Sequence, residues 1–187
     1  EWAIQIPNRK PTRSRYQLVL DMTRQDVRDY LFKVISDVLS SADISYVKWD
    51  MNRSICDWHS AELPVENMGE MQHRYVLGLY ELLDRLTSEF PHILFEGCSG
   101  GGGRFDAGIL YYCPQIWCSD DTDAYERTKI QYGTSFFYPI STIGSHVSIV
   151  PNHQTGRITP FETRAVTAMS GSFGYELDLN TLSEEEK

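Results

Sequence analysis

The sequence lacks any apolar run longer than a β-strand. Stretches such as Tyr16 to Leu20 and Ile93 to Phe95 fall far short of the roughly 20 residues a membrane-spanning helix needs, so no such helix is expected. Positive charge is scarce: 17 Lys and Arg stand against 26 Asp and Glu, a formal net charge of −9. Nucleic acid and anionic membranes are recognised through clustered basic residues, so neither is an expected partner. Cysteine is also sparse. Four residues (Cys56, Cys98, Cys113, Cys118) with no Cys-x-x-Cys pair exclude a disulfide-dense scaffold and a zinc ribbon, and reduced thiols in a cytoplasmic protein are the expectation. No His-Glu-x-x-His pattern occurs, and His59, His146 and His153 read as loop or core histidines, so neither metal nor cofactor is expected. The first residues, Glu1-Trp-Ala-Ile4, have neither an initiator Met nor the pattern of a signal peptide, and the sequence reads as cut from a longer one.

What is present is a core-forming composition. With 187 residues, 41% of them hydrophobic, the chain is expected to fold as a single domain over residues 1–187. Gln17-Leu-Val-Leu-Asp21 reads as a strand and Thr23-Arg-Gln-Asp26 as a capping box. The helix that follows carries an apolar stripe of Val27, Leu31, Val34, Ile35, Val38 and Leu39. Ile44 to Asp50 reads as the next strand, followed by a helix with Val76, Leu79, Leu83 and Leu86 in register and Pro91 as its stop. Further strands are expected at Ile93–Gly97, Gln115–Cys118, His146–Val150 and Phe173–Leu177. Helices are expected from Asp123 towards Phe137 and after Thr159-Pro-Phe-Glu162. Strands alternating with helices predict an α/β fold with a mainly parallel sheet: an open doubly wound sheet or part of a (β/α)₈ TIM barrel. Six strand candidates fit a barrel of roughly six β/α units lacking its first two, since a complete one takes about 250 residues. Asp21, Asp50, Asn52, Glu96, Cys98 and Ser119-Asp-Asp121 crowd the C-terminal strand ends, where barrel enzymes build their sites.

Two segments carry chemistry. In Tyr46-Val-Lys-Trp-Asp-Met-Asn-Arg53 a Lys and an Asp interrupt an apolar strand, and alternation places Tyr46, Lys48 and Asp50 on one face with Val47 and Trp49 on the other. Buried charges must be paired, so this is either a structural ion pair or a carboxylate held ionised for reaction. In Trp117-Cys-Ser-Asp-Asp-Thr-Asp-Ala124, Asp123 with Glu126 fits a helix cap. Asp120 and Asp121 remain, and neighbouring carboxylates oppose each other's ionisation, one route to a general acid. A pair of carboxylates at different strand ends is the equipment of glycoside hydrolysis. Ser99-Gly-Gly-Gly-Gly-Arg104 lacks the features of a phosphate loop and reads as a sugar wall or a tight turn.

These blocks, with His73-Arg-Tyr-Val-Leu-Gly-Leu-Tyr80, Leu94-Phe-Glu-Gly-Cys98 and Lys129-Ile-Gln-Tyr-Gly133, resemble glycoside hydrolase family 36, the α-galactosidases of bacteria and fungi, over nearly the whole chain. The resemblance implies a retaining α-galactosidase acting on terminal α-1,6-galactosides such as melibiose and raffinose. It gives Asp50 the role of nucleophile and Asp120 that of general acid/base, with Asp121 as the alternative. It also places Arg15, Lys48, Trp49, Asn52, Cys98 and Gly101 around the galactose, and a homo-oligomeric full-length protein is implied. The rival readings are a transgalactosylase of the same family and a non-catalytic galactoside-binding fragment.

Overall fold

The computed structural model describes residues 2–187. They divide into two compact units, one running to Val47 and resuming over Met51–Leu94, the other made of Lys48–Asp50 and Phe95–Lys187.

In the first unit the apolar stripe forms α1 (Gln25–Leu39). Val27 and Leu39 are buried, Leu31, Val34 and Ile35 are half-buried, and Val38 at the stripe's edge is exposed. Its partner α2 (Met71–Glu89) buries Leu79, Leu82, Leu83 and Leu86, leaves Val76 exposed, and ends at Phe90. Pro91 sets that end, because the residue before a proline is driven out of the helical region, and Phe90 has φ −121° and ψ 62°. Ile4, Val19, Met22, Met71 and Tyr75 form a core cluster, with Leu31, Ile55 and Trp58 among the residues packed on it.

Two expectations fail in this unit. Residues 17–21 form no strand, only an isolated antiparallel bridge between Leu20 and Ala3, besides one between Ser14 and Gln17. The chain turns through positive φ at Arg15 and Tyr16 immediately before, and the segment then pairs through Ile4 N to the Val19 carbonyl and Asp21 N to the Trp2 carbonyl. The capping box is also absent. The Thr23 hydroxyl donates to Asp21 Oδ1 at 2.6 Å instead, and Arg24, the N-cap residue, makes no side-chain cap.

The second unit alternates strands and helices. Strands β1 (Tyr46–Asp50), β2 (Leu94–Cys98) and β3 (Gln115–Ile116) lie side by side in that order. β2 and β3 are parallel, with Glu96 opposite Gln115. A one-turn helix, α3 (Ile109–Tyr112), connects them. After α4 (Ala124–Ser135), β4 (Gly144–Ser148) pairs in parallel with β5 (Ser172–Glu176), with α5 (Phe161–Ala168) as the crossover between these two. A parallel bridge between Ile116 and Ile143 brings the start of β4 beside β3. The fold is α/β with parallel strands. Phe95, Ile116, Ile143, Val147 and Ala168 are buried between sheet and helices.

Asp123 caps α4 as expected, accepting from the amides of Tyr125 (2.9 Å) and Glu126 (3.2 Å). At α5 the expected cap shifts by one residue: Pro160 is the N-cap, and the Thr159 carbonyl accepts from Arg164 Nε at 3.1 Å. Among the described residues no helix is long and apolar enough to cross a membrane.

Candidate functional site

Side chains two residues apart share a strand face. On β1 that rule brings Lys48 and Asp50 to one face, and Trp49, half-buried, to the other. On the neighbouring strand Glu96 and Cys98 face the same way as Lys48 and Asp50. Lys48 Nζ lies 3.5 Å from Glu96 Oε1, and the Cys98 thiol lies close enough to Asp50 for its pKa to be raised by it. Gln115 on β3 donates to Glu96 Oε2 at 2.9 Å.

Trp117, just beyond β3, collects the cations of this layer. Lys48 Nζ stands 4.5 Å from the ring centroid, the Arg127 guanidinium 4.3 Å, and the His146 ring stacks on the indole with centroids 4.7 Å apart. Arg127 is fixed by hydrogen bonds to Cys118 Sγ and to the Gly144 carbonyl. His146 Nδ1 is 3.8 Å from Glu176 Oε2, an ion-pair distance too long for a hydrogen bond.

Burial foremost pushes the Glu96 carboxyl above its ordinary value, against the His146 charge and the Gln115 hydrogen bond. His146 above all holds Glu176 low, with burial opposing and Lys48 assisting. The Cys98 thiol is pushed up to about 11, mainly by burial and further by Asp50, against a hydrogen bond from the Gly101 amide.

That amide belongs to the glycine loop, which is fitted to the chain after β3. A Cβ at Gly101 would stand 2.7 Å from Ser119 Cα, and one at Gly102 would stand 2.8 Å from the Cys118 carbonyl. Gly101 also has φ +76°, which side-chain-bearing residues rarely adopt. The tight-turn reading of the loop therefore has a packing reason. The loop's contacts run continuously from Asp50 through Cys98 and Gly101 to the backbone of Asp120.

Asp120 is exposed, whereas Asp121 is half-buried and its carboxylate accepts from the Asp123 amide at 3.0 Å. The second unit thus brings together Lys48, Asp50, Cys98, Gly101 and Asp120. Arg15, exposed at φ +52°, and Asn52, half-buried, belong to the first unit. Among the described residues no group of three or more His, Cys, Asp or Glu is arranged to hold a metal ion.

Sequence reasoning singled out Lys48 and set Glu96 among the polar strand ends, but did not pair the two. Glu96 interrupts the apolar run Leu94-Phe95 as Lys48 interrupts its own strand. Two opposite charges at like positions of neighbouring strands were the available signal. For Trp117 and His146 there was none, because their stacking depends on the register of β3 and β4.

The family model described as Melibiase matches residues 1–187. The chain is 60% identical to α-galactosidase AgaA of Geobacillus stearothermophilus over its whole length, which is 26% of that protein. It is also 60% identical, over 100% of its length and 19% of the relative's, to the bifunctional α-galactosidase/sucrose kinase AgaSK of Mediterraneibacter gnavus. A crystal structure of a GH36 α-galactosidase AgaA variant from Geobacillus stearothermophilus in complex with raffinose superposes with a TM-score of 0.97 at 59% identity, covering 99% of this chain and 26% of that one. The chain therefore spans about a quarter of the length of α-galactosidase AgaA.

Proposed function

This chain belongs to the melibiase family, and on that premise we propose that it forms the catalytic part of a retaining α-galactosidase that removes terminal α-1,6-linked galactose from oligosaccharides such as melibiose and raffinose. The observation that carries this reading is the contact path from Asp50 to Asp120. Asp50 ends β1 and Asp120 follows β3, the two strands that flank β2, and Cys98 and Gly101 link them. Two carboxyls facing one sugar from different strands are what double displacement requires.

In this reading Asp50 attacks the anomeric carbon while Asp120 protonates the departing glycosidic oxygen. The covalent galactosyl-enzyme is then opened by water, with Asp120 taking the water's proton. Asp120 is favoured over Asp121 because it is exposed, while the Asp121 carboxylate is engaged by the Asp123 amide. Of the residues in the second unit, Lys48, Trp49, Cys98 and Gly101 are assigned to galactose binding. The parallel β/α succession of the second unit supports a partial (β/α)₈ barrel as the scaffold, with residues 1–187 as one piece of it.

The test is hydrolysis of an aryl α-galactoside by the full-length protein and its Asp50→Ala variant, with azide added as an external nucleophile. Loss of turnover in the variant, with recovery as β-galactosyl azide, is the expected result. A fully active variant, or a parent that releases no galactose, sinks the reading.

A further inference from the structure

Lys48 and Glu96 form an asymmetric pair. The Glu96 side chain is only 1% exposed, whereas that of Lys48 is 35% exposed. One Glu96 oxygen is held by Gln115, while the other makes no hydrogen bond and has the Lys48 ammonium at 3.5 Å. A buried carboxylate is costly unless a cation compensates it. A lysine ammonium on a flexible stem, by contrast, is equally at home in water. The pair is therefore needed by Glu96 more than by Lys48, and it is the buried carboxylate that draws the ammonium inward. The other charged groups acting on Glu96 are His146 from β4, Glu176 from β5 and Arg127 from α4. The two basic side chains among them are already engaged, His146 against Trp117 and Glu176, Arg127 with Cys118 and Gly144.

We propose that Glu96 is a positioning residue for the glycosidase site: its buried carboxylate pins the Lys48 ammonium over Trp117, on the strand face it shares with Asp50, and keeps it from swinging into solvent. This rests on the α-galactosidase reading above. The contacts of Glu96 are with Lys48 and Gln115, and no catalytic role is assigned to it. It acts through Lys48, so its effect disappears once Lys48 is gone.

The experiment compares the full-length parent with Glu96→Gln, Lys48→Met and the double variant, using two readouts. One is kcat and KM on an aryl α-galactoside. The other is the rate at which the Lys48 amine is reductively methylated, followed by peptide mass spectrometry. Glu96→Gln is expected to lower kcat about tenfold, as misplacement of a site group does, and to leave KM within about threefold. It is also expected to speed Lys48 methylation several-fold. The double variant should be no slower than Lys48→Met alone, because the two residues act as a unit.

Losses that multiply in the double variant, or unchanged kcat together with unchanged methylation in Glu96→Gln, overturn the proposal. Should Glu96→Gln fail to fold, Gln115→Leu releases the second Glu96 oxygen without altering the carboxylate. It should then show a smaller kcat loss that vanishes in the Lys48→Met background, and multiplying losses there again overturn the proposal. A parent that releases no galactose sinks the function reading alone. The methylation rates still decide whether Glu96 pins Lys48.

Discussion

The backbone of Gly101 is packed so closely on that of Asp120 that a Cβ at Gly101 would stand 2.9 Å from the Asp120 nitrogen. A methyl group there has two costs: the positive φ and a clash with backbone that cannot rotate away. Gly101→Ala is therefore expected to move Asp120 and to lower kcat on an aryl α-galactoside by roughly tenfold to a hundredfold, since about 1 Å of displacement has that effect. Gly100 also has positive φ (+55°), but no atom lies within 4 Å of its Cβ position. Gly100→Ala should cost only the left-handed backbone strain, about 1 kcal/mol, and retain most activity. Equal losses in the two variants, measured side by side, would sink the packing argument.

The thiols should separate by burial. Burial pushes Cys98 up to about 11 and Cys113 up to about 12, while Cys56 is exposed. Thiolate is the reactive species, so at pH 8 Cys98 presents it in on the order of one molecule in a thousand. Iodoacetamide mapped by peptide mass spectrometry should label Cys56 within minutes and leave Cys98 and Cys113 unmodified until the protein is denatured. Rapid labelling of Cys98 in the native protein would contradict its buried setting beside Asp50.

Asp123 should contribute stability with a definite pH dependence. Burial alone would raise its pKa, but hydrogen bonds from Thr155, the Glu126 and Tyr125 amides and Arg157 together outweigh it and hold the carboxyl below its ordinary value. A depressed folded-state pKa stabilises the protein above the unfolded value, and that stabilisation is lost as pH falls through the folded value. Asp123→Ala removes the α4 cap and should cost about 1–2 kcal/mol near neutral pH, read from the urea midpoint. Asp123→Asn keeps a capping oxygen but not the charge, so its midpoint should approach the parent's as pH drops below 4. A parent–Asn gap that widened on acidification would reverse the sign of this account.

Local rules made much of this chain legible. The stripe of α1, the proline stop of α2, the Asp123 cap and the alternation of strands with helices each depend on residues a few positions apart, whose geometry the backbone dictates. The same holds for the shared face of Lys48 and Asp50, which follows from strand parity alone. The sequence motifs around Asp50 and Asp120 likewise pointed to glycoside hydrolase family 36, to which the melibiase match agrees.

Where local pattern misled, a non-local term had won. Gln17-Leu-Val-Leu-Asp21 has the composition of a strand, but a strand needs a neighbour long enough to pair with, and its neighbour offers one bridge at Ala3. Thr23 has the chemistry of a cap, but α1 begins at Gln25, so the N-cap position falls to Arg24. Residue order alone offered Asp50 as the partner of Lys48. Tertiary structure chose Glu96 for the pair at 3.5 Å, set Trp117 and His146 beside it, and laid Gly101 against Asp120. Those choices depend on strand register and on burial, and both are fixed only when segments distant in sequence come to share one low-dielectric interior.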